Sequence, residues 1–314
     1  MSIAILDGHY QLHRSLYSKG SELTTSTGLP SGATYVFLKM LWNFKDLGQP
    51  IVVFDAPAAR SKFRREIYPK YKDRTDENIT EEKRLEREET SKLFNYGINT
   101  LKQILPKMGI PVVTLPEQEG DDVVYRLAEY FSAKGEQVWA VSDDKDYLQL
   151  MNLNNVKVFQ PMKDAYWDKE KFSTDYGFDI KYFTLFKAMM GDDSDKIDGI
   201  PGIGDKTAAK IIKELQQPNL ESLLNWANAG EKNLHTKIKE NFQIVKRNLN
   251  LVDLSLMTLD LQDVITTYEK AKSETSYDVQ FIVEQFKKYE FNTFSNWLTW
   301  VMHRRNLVNS GVGV

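Results

Sequence analysis

The feature that most constrains this chain is a repeated unit: a short apolar run that reads as a buried strand, closed by a carboxylate, then a helical pattern. IAIL (3–6) runs into Asp7, IVVF (51–54) into Asp55, and QVWAV (137–141) through Ser142 into Asp143 and Asp144. IPVVTL (110–115) leads through a loop to Glu119, Asp121 and Asp122 at the start of a helix, and VKVFQ (156–160) is a fifth strand candidate. Amphipathic helical patterns lie around 32–47, 91–107 and 121–133. Strands alternating with helices build βαβ units, so the expected fold is α/β, with a mostly parallel central sheet covered by helices on both faces. Beyond about 180 the β signal fades and helices dominate. The expected division is an α/β domain over 1–180 and a helical subdomain with a C-terminal segment over 181–314.

Composition removes several classes. The 314 residues are 41% hydrophobic and 27% charged, ordinary for a water-exposed globular chain. No apolar run approaches the roughly 20 residues of a membrane span, and the N-terminus has no secretory signal pattern. Zero cysteines exclude disulfides and thiolate metal sites and suit a reducing cytoplasm. A net charge of -3 gives no global sign of a nucleic-acid partner, so any such sign must be local.

The strand-end carboxylates are that kind of local signal. In open parallel sheets the ligand crevice lies beyond the carboxyl ends of the strands, so these side chains should converge. A single aspartate there is commonly a helix N-cap, and Asp121 or Asp122 alone would also suit a helix macrodipole. Four coincidences at one edge point instead to a shared cation. Oxygen ligands favour hard divalent ions, Mg²⁺ or Mn²⁺, over zinc, for which the four histidines have no suitable spacing. Adjacent strand residues face opposite ways, so Asp143 and Asp144 should not both reach such an ion.

A second acidic group, Asp192 and Asp195, sits in GDDSDKIDGIPGIGDKTAAKII (191–212), three residues apart and able to share a face if that segment is helical. The GIPGIG turn, with Gly202 and Gly204, can present backbone N–H groups to a phosphate, and Lys206, Lys210 and Lys213 form a basic stripe on the next helix. Together they read as a helix–hairpin–helix gripping a nucleic-acid backbone. Residues 60–74 hold seven basic residues interleaved with Phe63, Tyr68 and Tyr71, a pattern suited to phosphates and stacked bases. The run 232–247 extends the basic track, and the charged segment 76–92 reads as an exposed helix or a mobile stretch.

In this order the pieces resemble the 5′-nuclease family of flap endonucleases, phage 5′-exonucleases and the nuclease domain of bacterial DNA polymerase I. LDGHYQLHRS resembles its opening motif and FDAPAARSKFRREIYPKYKDR its second, EGDDVVYRLA its EADD helix, and SDDKDYLQL and GDDSDKIDGIPGIGDKTA two further motifs. The match spans about 1–215, and FKKYEFNTFSNWL (286–298) resembles the closing segment. Gly120 stands where the family has alanine, and Lys196 and Asp198 where it has Asn and Pro.

The resemblance implies a PIN-like 5′-nuclease core, a helix–hairpin–helix (H3TH) subdomain and an arch over 72–100 for a 5′ strand. It implies a structure-specific 5′-3′ exonuclease or flap endonuclease working with two Mg²⁺ or Mn²⁺ ions. Asp7, Asp55, Glu119, Asp121, Asp144 and Asp146 would line the inner site; Asp122, Asp192 and Asp195 would hold the second. Lys72 and Arg64 would add positive charge at the phosphate, and Arg14, Arg60, Lys62, Tyr71, Arg74, Gly202, Gly204, Lys206 and Lys210 would contact DNA. Asp143 becomes the spare carboxylate, a cap or salt-bridge partner. A potassium ion at the hairpin is a further expectation, as are a 5′-flap, nicked, forked or RNA–DNA substrate and a polymerase or single-stranded-DNA-binding protein as partner. A monomeric, stand-alone enzyme of phage type in the cytoplasm completes the expectation. The alternatives are a non-catalytic fork-binding protein and a strand-aspartate phosphatase, the latter lacking its DxD motif because Gly8 and His9 follow Asp7.

Overall fold

The computed structural model describes residues 2–18, 20, 22–56, 62–73 and 79–292. Six strands form one sheet: β1 (Ser2–Asp7), β2 (Gln49–Val53), β3 (Val112–Val113), β4 (Gln137–Val141), β5 (Val156–Gln160) and β6 (Ala165–Trp167), in the order β3-β2-β1-β4-β5-β6. All neighbours are parallel except β5 and β6. The alternation of side chains explains why the central strands β1, β2 and β4 are apolar along their middles. Ile3, Ile5, Ile51, Val53, Val138 and Ala140 face one core, while Ala4, Leu6, Val52, Phe54 and Val141 face the other.

Helix α1 (Gly8–Leu16), α2 (Gly32–Asn43) and the second half of a long helix that starts at Glu81 cover the second face through Leu12, Phe37, Leu38, Leu101 and Ile104. A short helix, α3 (Lys62–Ile67), leads up to that long helix, α4 (Glu81–Lys107); α5 (Gly120–Ala133) covers the first face through Val123, Val124, Leu127 and Phe131.

Two strand and helix expectations change. IPVVTL shortens to the two-residue edge strand β3, because Pro111 has no N–H and Thr114 already turns toward the loop before Glu119. The charged segment 76–92 is not separate from the helical pattern at 91–107: α4 is one 27-residue helix, exposed from Glu81 to Glu89 and first buried at Phe94. Residues 74–78 lie outside the described residues.

The second half is helical: α6 (Lys169–Tyr176), α7 (Phe183–Met190), α8 (Asp205–Glu214), α9 (Leu220–Ala229), α10 (Asn233–Glu240), α11 (Phe242–Val252), α12 (Leu261–Ser273) and α13 (Val279–Lys288). Between α7 and α8 a two-stranded hairpin forms from β7 (Gly191–Asp192) and β8 (Ile197–Asp198). Its crossing is so close that a Cβ on Gly199 would stand 1.8 Å from the Met190 carbonyl oxygen, so only glycine fits. Asp192 and Asp195 therefore do not share a helical face; they lie in the hairpin, where Asp192 Oδ1 accepts from the Ser194 N–H at 2.9 Å and the Asp195 N–H at 3.4 Å. Helix α13 returns to the α/β half and packs Ile282 and Phe286, with Tyr289 just past its end, into the core beneath α4.

Candidate metal centre and nucleic-acid face

The carboxylates meet beyond the ends of β1, β2 and β4, with α5 and the hairpin closing the ring. Capping and coordination are not exclusive here. Asp7 caps α1, its Oδ1 accepting from the Tyr10 N–H at 2.9 Å, while Oδ2 accepts from the Ser142 hydroxyl at 3.2 Å. Asp144 caps the 3₁₀ turn Lys145–Asn152 through the Asp146 N–H at 2.8 Å. In each case the cap fixes the rotamer, and one oxygen of Asp144 stays clear of it. Asp55 Oδ1 accepts from the Gly120 N–H at 2.8 Å, while its own N–H donates to His9 Nδ1 at 3.0 Å. That bond makes the His9 ring a neutral acceptor, as does burial, which with His13 and Lys102 lowers its pKa to about 4.

Crowding shows in the titration of these groups. Burial, with Asp55 and Asp144 nearby, pushes Asp7 up to about 7. Burial and Asp121 push Asp55 up to about 6, while burial raises Asp146 to about 7 against the pull of Lys187. Asp195 rises to about 6, burial outweighing Lys72. Buried, mutually repelling carboxylates of this kind call for further positive charge. Glu119, Asp121 and Asp122 each present an oxygen within 4.8 Å of the others. The donor set is all oxygen, so hard divalent cations fit the chemistry of the site.

Three basic groups already stand in this ring. Arg64 is 1% exposed and donates to Glu119 and, in fork geometry, to Asp122 at 2.7 and 3.0 Å, while its Nε donates to the Leu251 carbonyl at 3.0 Å. Lys72 Nζ lies 3.2 Å from Glu119 and 3.8 Å from Asp195. Burial alone would lower Lys72, but Asp121, Tyr71 and Glu119 outweigh it and keep its pKa above the ordinary lysine value. Lys187, on α7, is held by Asp146 and by Asp192 at 2.7 Å.

Several sequence expectations are corrected. Arg64 cannot meet a phosphate as it stands, because its guanidinium is sealed behind the site by carboxylates. Asp122 gives both oxygens to Arg64 and so stands as its counter-ion, behind the open ligands. Tyr71 is 1% exposed with its hydroxyl on Glu119 at 2.9 Å, and Tyr68 is 8% exposed with its hydroxyl on Asp198 at 2.6 Å, so neither offers a face to a base. Among the described residues Asp143 is neither helix cap nor salt-bridge partner: it accepts from the Tyr10 hydroxyl at 2.8 Å and the Met162 N–H at 3.1 Å, which still removes it from the ion-facing set.

Among the expected DNA contacts, Lys62, Lys206 and Lys210 are exposed, as are Gly202 and Gly204. A Cβ on Gly202 would lie 3.0 Å from Lys237 Nζ, so the 232–247 run reaches the hairpin turn. Arg14 is half-buried and donates to the Pro161 carbonyl at 3.4 Å. Arg60 and Arg74 lie outside the described residues.

Sequence reasoning missed Lys187, His9 and Ser142. Only Lys187 left a signal, as the single charge in the apolar helix FTLFKAMM; a lysine on such a face needs a partner.

Two families match the chain: "5′-3′ exonuclease, N-terminal resolvase-like domain" over residues 2–177 and "5′-3′ exonuclease, C-terminal SAM fold" over 180–274. A 5′-3′ exonuclease of Aquifex aeolicus is 33% identical over 290 residues, covering 91% of this chain and 86% of its own. A DNA polymerase I of Mycobacterium bovis is 32% identical over 259 residues, 81% of this chain but 27% of that protein. The T5 5′-exonuclease with divalent zinc ions bound has the same fold, with a TM-score of 0.69 at 23% identity, covering 87% of this chain and 98% of its own. Among the described residues no helix is long and apolar enough to cross a membrane.

Proposed function

Because the chain belongs to the 5′-3′ exonuclease family and is a 5′ nuclease, we propose that it hydrolyses phosphodiester bonds at 5′ ends, flaps and nicks of DNA with two divalent ions, Mg²⁺ or Mn²⁺. The observation that carries this reading is the ring of carboxylates from three strand ends, α5 and the hairpin. Asp7, Asp55, Asp121 and Asp144 form the inner ligands, with Glu119 held beside them by Arg64, Tyr71 and Lys72. Asp146, expected at the inner site, goes instead with Asp192, because both take the Lys187 ammonium, and with Asp195 they form the second group. When bound, the ions supply Lewis acidity to the phosphate and activate water for attack.

The chain's own residues do the rest. Lys72 projects over Glu119 and Asp195 from a left-handed backbone (φ +48°), held by its N–H on the Asp195 carbonyl at 2.9 Å. That fixes a positive charge beside the carboxylates where charge builds on the phosphate. Arg64 holds Glu119 in place from behind. The exposed lysines of α8 and the Gly202–Gly204 turn grip the duplex backbone without reading sequence. The exposed first turns of α4 form one side of an arch over the 5′ strand, and RNA–DNA hybrids, a hairpin potassium ion and a replication partner belong to the same reading. A structurally intact but non-catalytic fork binder is disfavoured, since every expected carboxylate but Asp122, which gives both oxygens to Arg64, remains in the ring.

The test is Asp144→Asn on a labelled 5′-flap substrate. Mg²⁺-dependent cleavage is expected to vanish while flap binding in EDTA persists; unchanged turnover would sink the assignment.

A further inference from the structure

The acidic ring is not evenly paired. Among the described residues, Asp7, Asp55, Asp121 and Asp144 have no lysine or arginine within ion-pair distance, and His9, 3.9 Å from Asp55, is a neutral acceptor. Asp146 and Asp192 differ, because both share the Lys187 ammonium, whose side chain is only 9% exposed. Lys187 is the one charged residue on α7, and its neighbours Phe183, Leu185, Phe186, Ala188 and Met189 are core. A lysine buried among such residues stays charged only because carboxylates receive it.

An ammonium 2.7 Å from a carboxylate oxygen stands about where a small divalent ion would stand, since such ions sit roughly 2.0–2.6 Å from their oxygens. The two cannot share that place. Resting on the metal reading above, we propose that Lys187 is a built-in place-holder for the second ion, occupying the gap between Asp146 and Asp192 and yielding it when that ion binds. Room for the move exists. A groove of about 350 Å³ runs beside Lys187, walled by Tyr176, Phe186 and Lys206, with Asp205 on its lining to receive the ammonium; Asp175, on the same wall, is already paired with Lys171 at 3.1 Å.

The arrangement has two consequences. It makes the ions unequal: the first enters carboxylates with no lysine or arginine at ion-pair distance among the described residues, while the second must displace one. It also ties the 3₁₀ turn that carries Asp146 to the hairpin that carries Asp192 when no ion is bound, so the two halves of the second site stay in register.

The test measures Mn²⁺ binding to the whole protein without DNA, by calorimetry and by the electron paramagnetic resonance of free Mn²⁺. The unaltered protein is expected to bind two ions with separated affinities. Lys187→Met, which keeps the buried stem, should tighten the weaker event about tenfold or more and leave the stronger within twofold. It should also lower the melting temperature without metal and enlarge the gain that Mn²⁺ brings. Lys187→Gln guards against a packing artefact and should tighten the same event. Lys169→Met, an exposed lysine at the start of α6 outside that groove, should change neither affinity. A weaker event unmoved or weakened in both Lys187 variants overturns the proposal, and so does equal tightening in Lys169→Met, which would mean general charge removal. Absence of any Mn²⁺ binding by the unaltered protein would instead overturn the metal reading itself, and the place-holder with it.

Discussion

Arg64 and Lys72 arise from one basic stretch, eight residues apart, and both reach Glu119, yet they end in opposite environments. Arg64 closes the back of the site: 1% exposed, forked onto Asp122 and bonded to a backbone carbonyl of α11. Lys72 stands at the front, its side chain 24% exposed, on a left-handed backbone beside the open carboxylates. The difference teaches that charge pattern alone does not separate a residue that holds the site from one that faces the substrate. Burial decides, and a fork-shaped guanidinium suits the back better than an ammonium because it satisfies two carboxylates and a carbonyl at once.

Replacing each with methionine is the most direct way to break that division. Arg64→Met strands Glu119 and Asp122 without their main cation and should cost about 3–5 kcal/mol of stability, read from chemical denaturation. Lys72→Met leaves Glu119 bonded to Arg64 and Tyr71, so stability should change by about 1 kcal/mol or less. Its turnover should fall by about 10²–10³, as when one preorganised positive or hydrogen-bonding group is removed from a transition state. An Arg64→Met protein of normal stability with lost turnover alone would show that the back of the site is also its working face.

The metal-free front should also respond to pH. Asp7 and Asp146 titrate at about 7 and Asp55 and Asp195 at about 6 in the folded chain, well above the unfolded carboxylate value of about 4. The folded state thus binds more protons than the unfolded state between these values, so stability must fall as pH rises from about 4 to about 7. In EDTA the melting temperature should be higher at pH 5.5 than at pH 8, and saturating Mn²⁺ should shrink or reverse the gap. A rise toward pH 8 in EDTA would mean that the front carboxylates are not crowded in solution.

A smaller and sharper probe is Gly120, where the related motif carries alanine. A Cβ there would stand 2.5 Å from Asp55 Oδ1, which now accepts the Gly120 N–H. The carboxylate end can swing away, so Gly120→Ala should fold with less than about 1 kcal/mol lost while moving Asp55. The apparent Mn²⁺ requirement of cleavage should shift several-fold with maximal turnover nearly kept. An unchanged requirement would mean that Asp55 does not depend on that bond for its position.

The same contrast explains what was legible in the sequence. Strands β4 and β5 begin and end where the runs QVWAV and VKVFQ do, because each buries one face fully and half-buries the other, where the stem of Lys157 is tolerated. The antiparallel strand β6 escaped, since three residues at a sheet edge carry no periodicity. The open ligands were visible because a carboxylate at a strand end is placed by local geometry. Arg64 and Tyr71 were misassigned as DNA contacts because their burial is produced by α5 and α11, distant in sequence. Lys187 was overlooked for the opposite reason: its signal lay in a helix that otherwise reads as plain core.

The front also carries local backbone strain. Lys72 (φ +48°) and Lys196 (φ +59°) both adopt the left-handed region, which costs a non-glycine residue roughly 1–2 kcal/mol. At Lys72 the strain aims an ammonium at the carboxylates. Lys196 is exposed, stands where the related motif has asparagine, and has no side-chain role in the ring. Lys196→Gly should therefore relieve strain at the hairpin, offset in part by the added freedom of the unfolded chain, for a net gain of about 0.5 kcal/mol in the denaturation midpoint. Cleavage should stay within twofold. A loss of stability or of flap binding would show that Lys196, like Lys72, holds its strained backbone for a contact at the front.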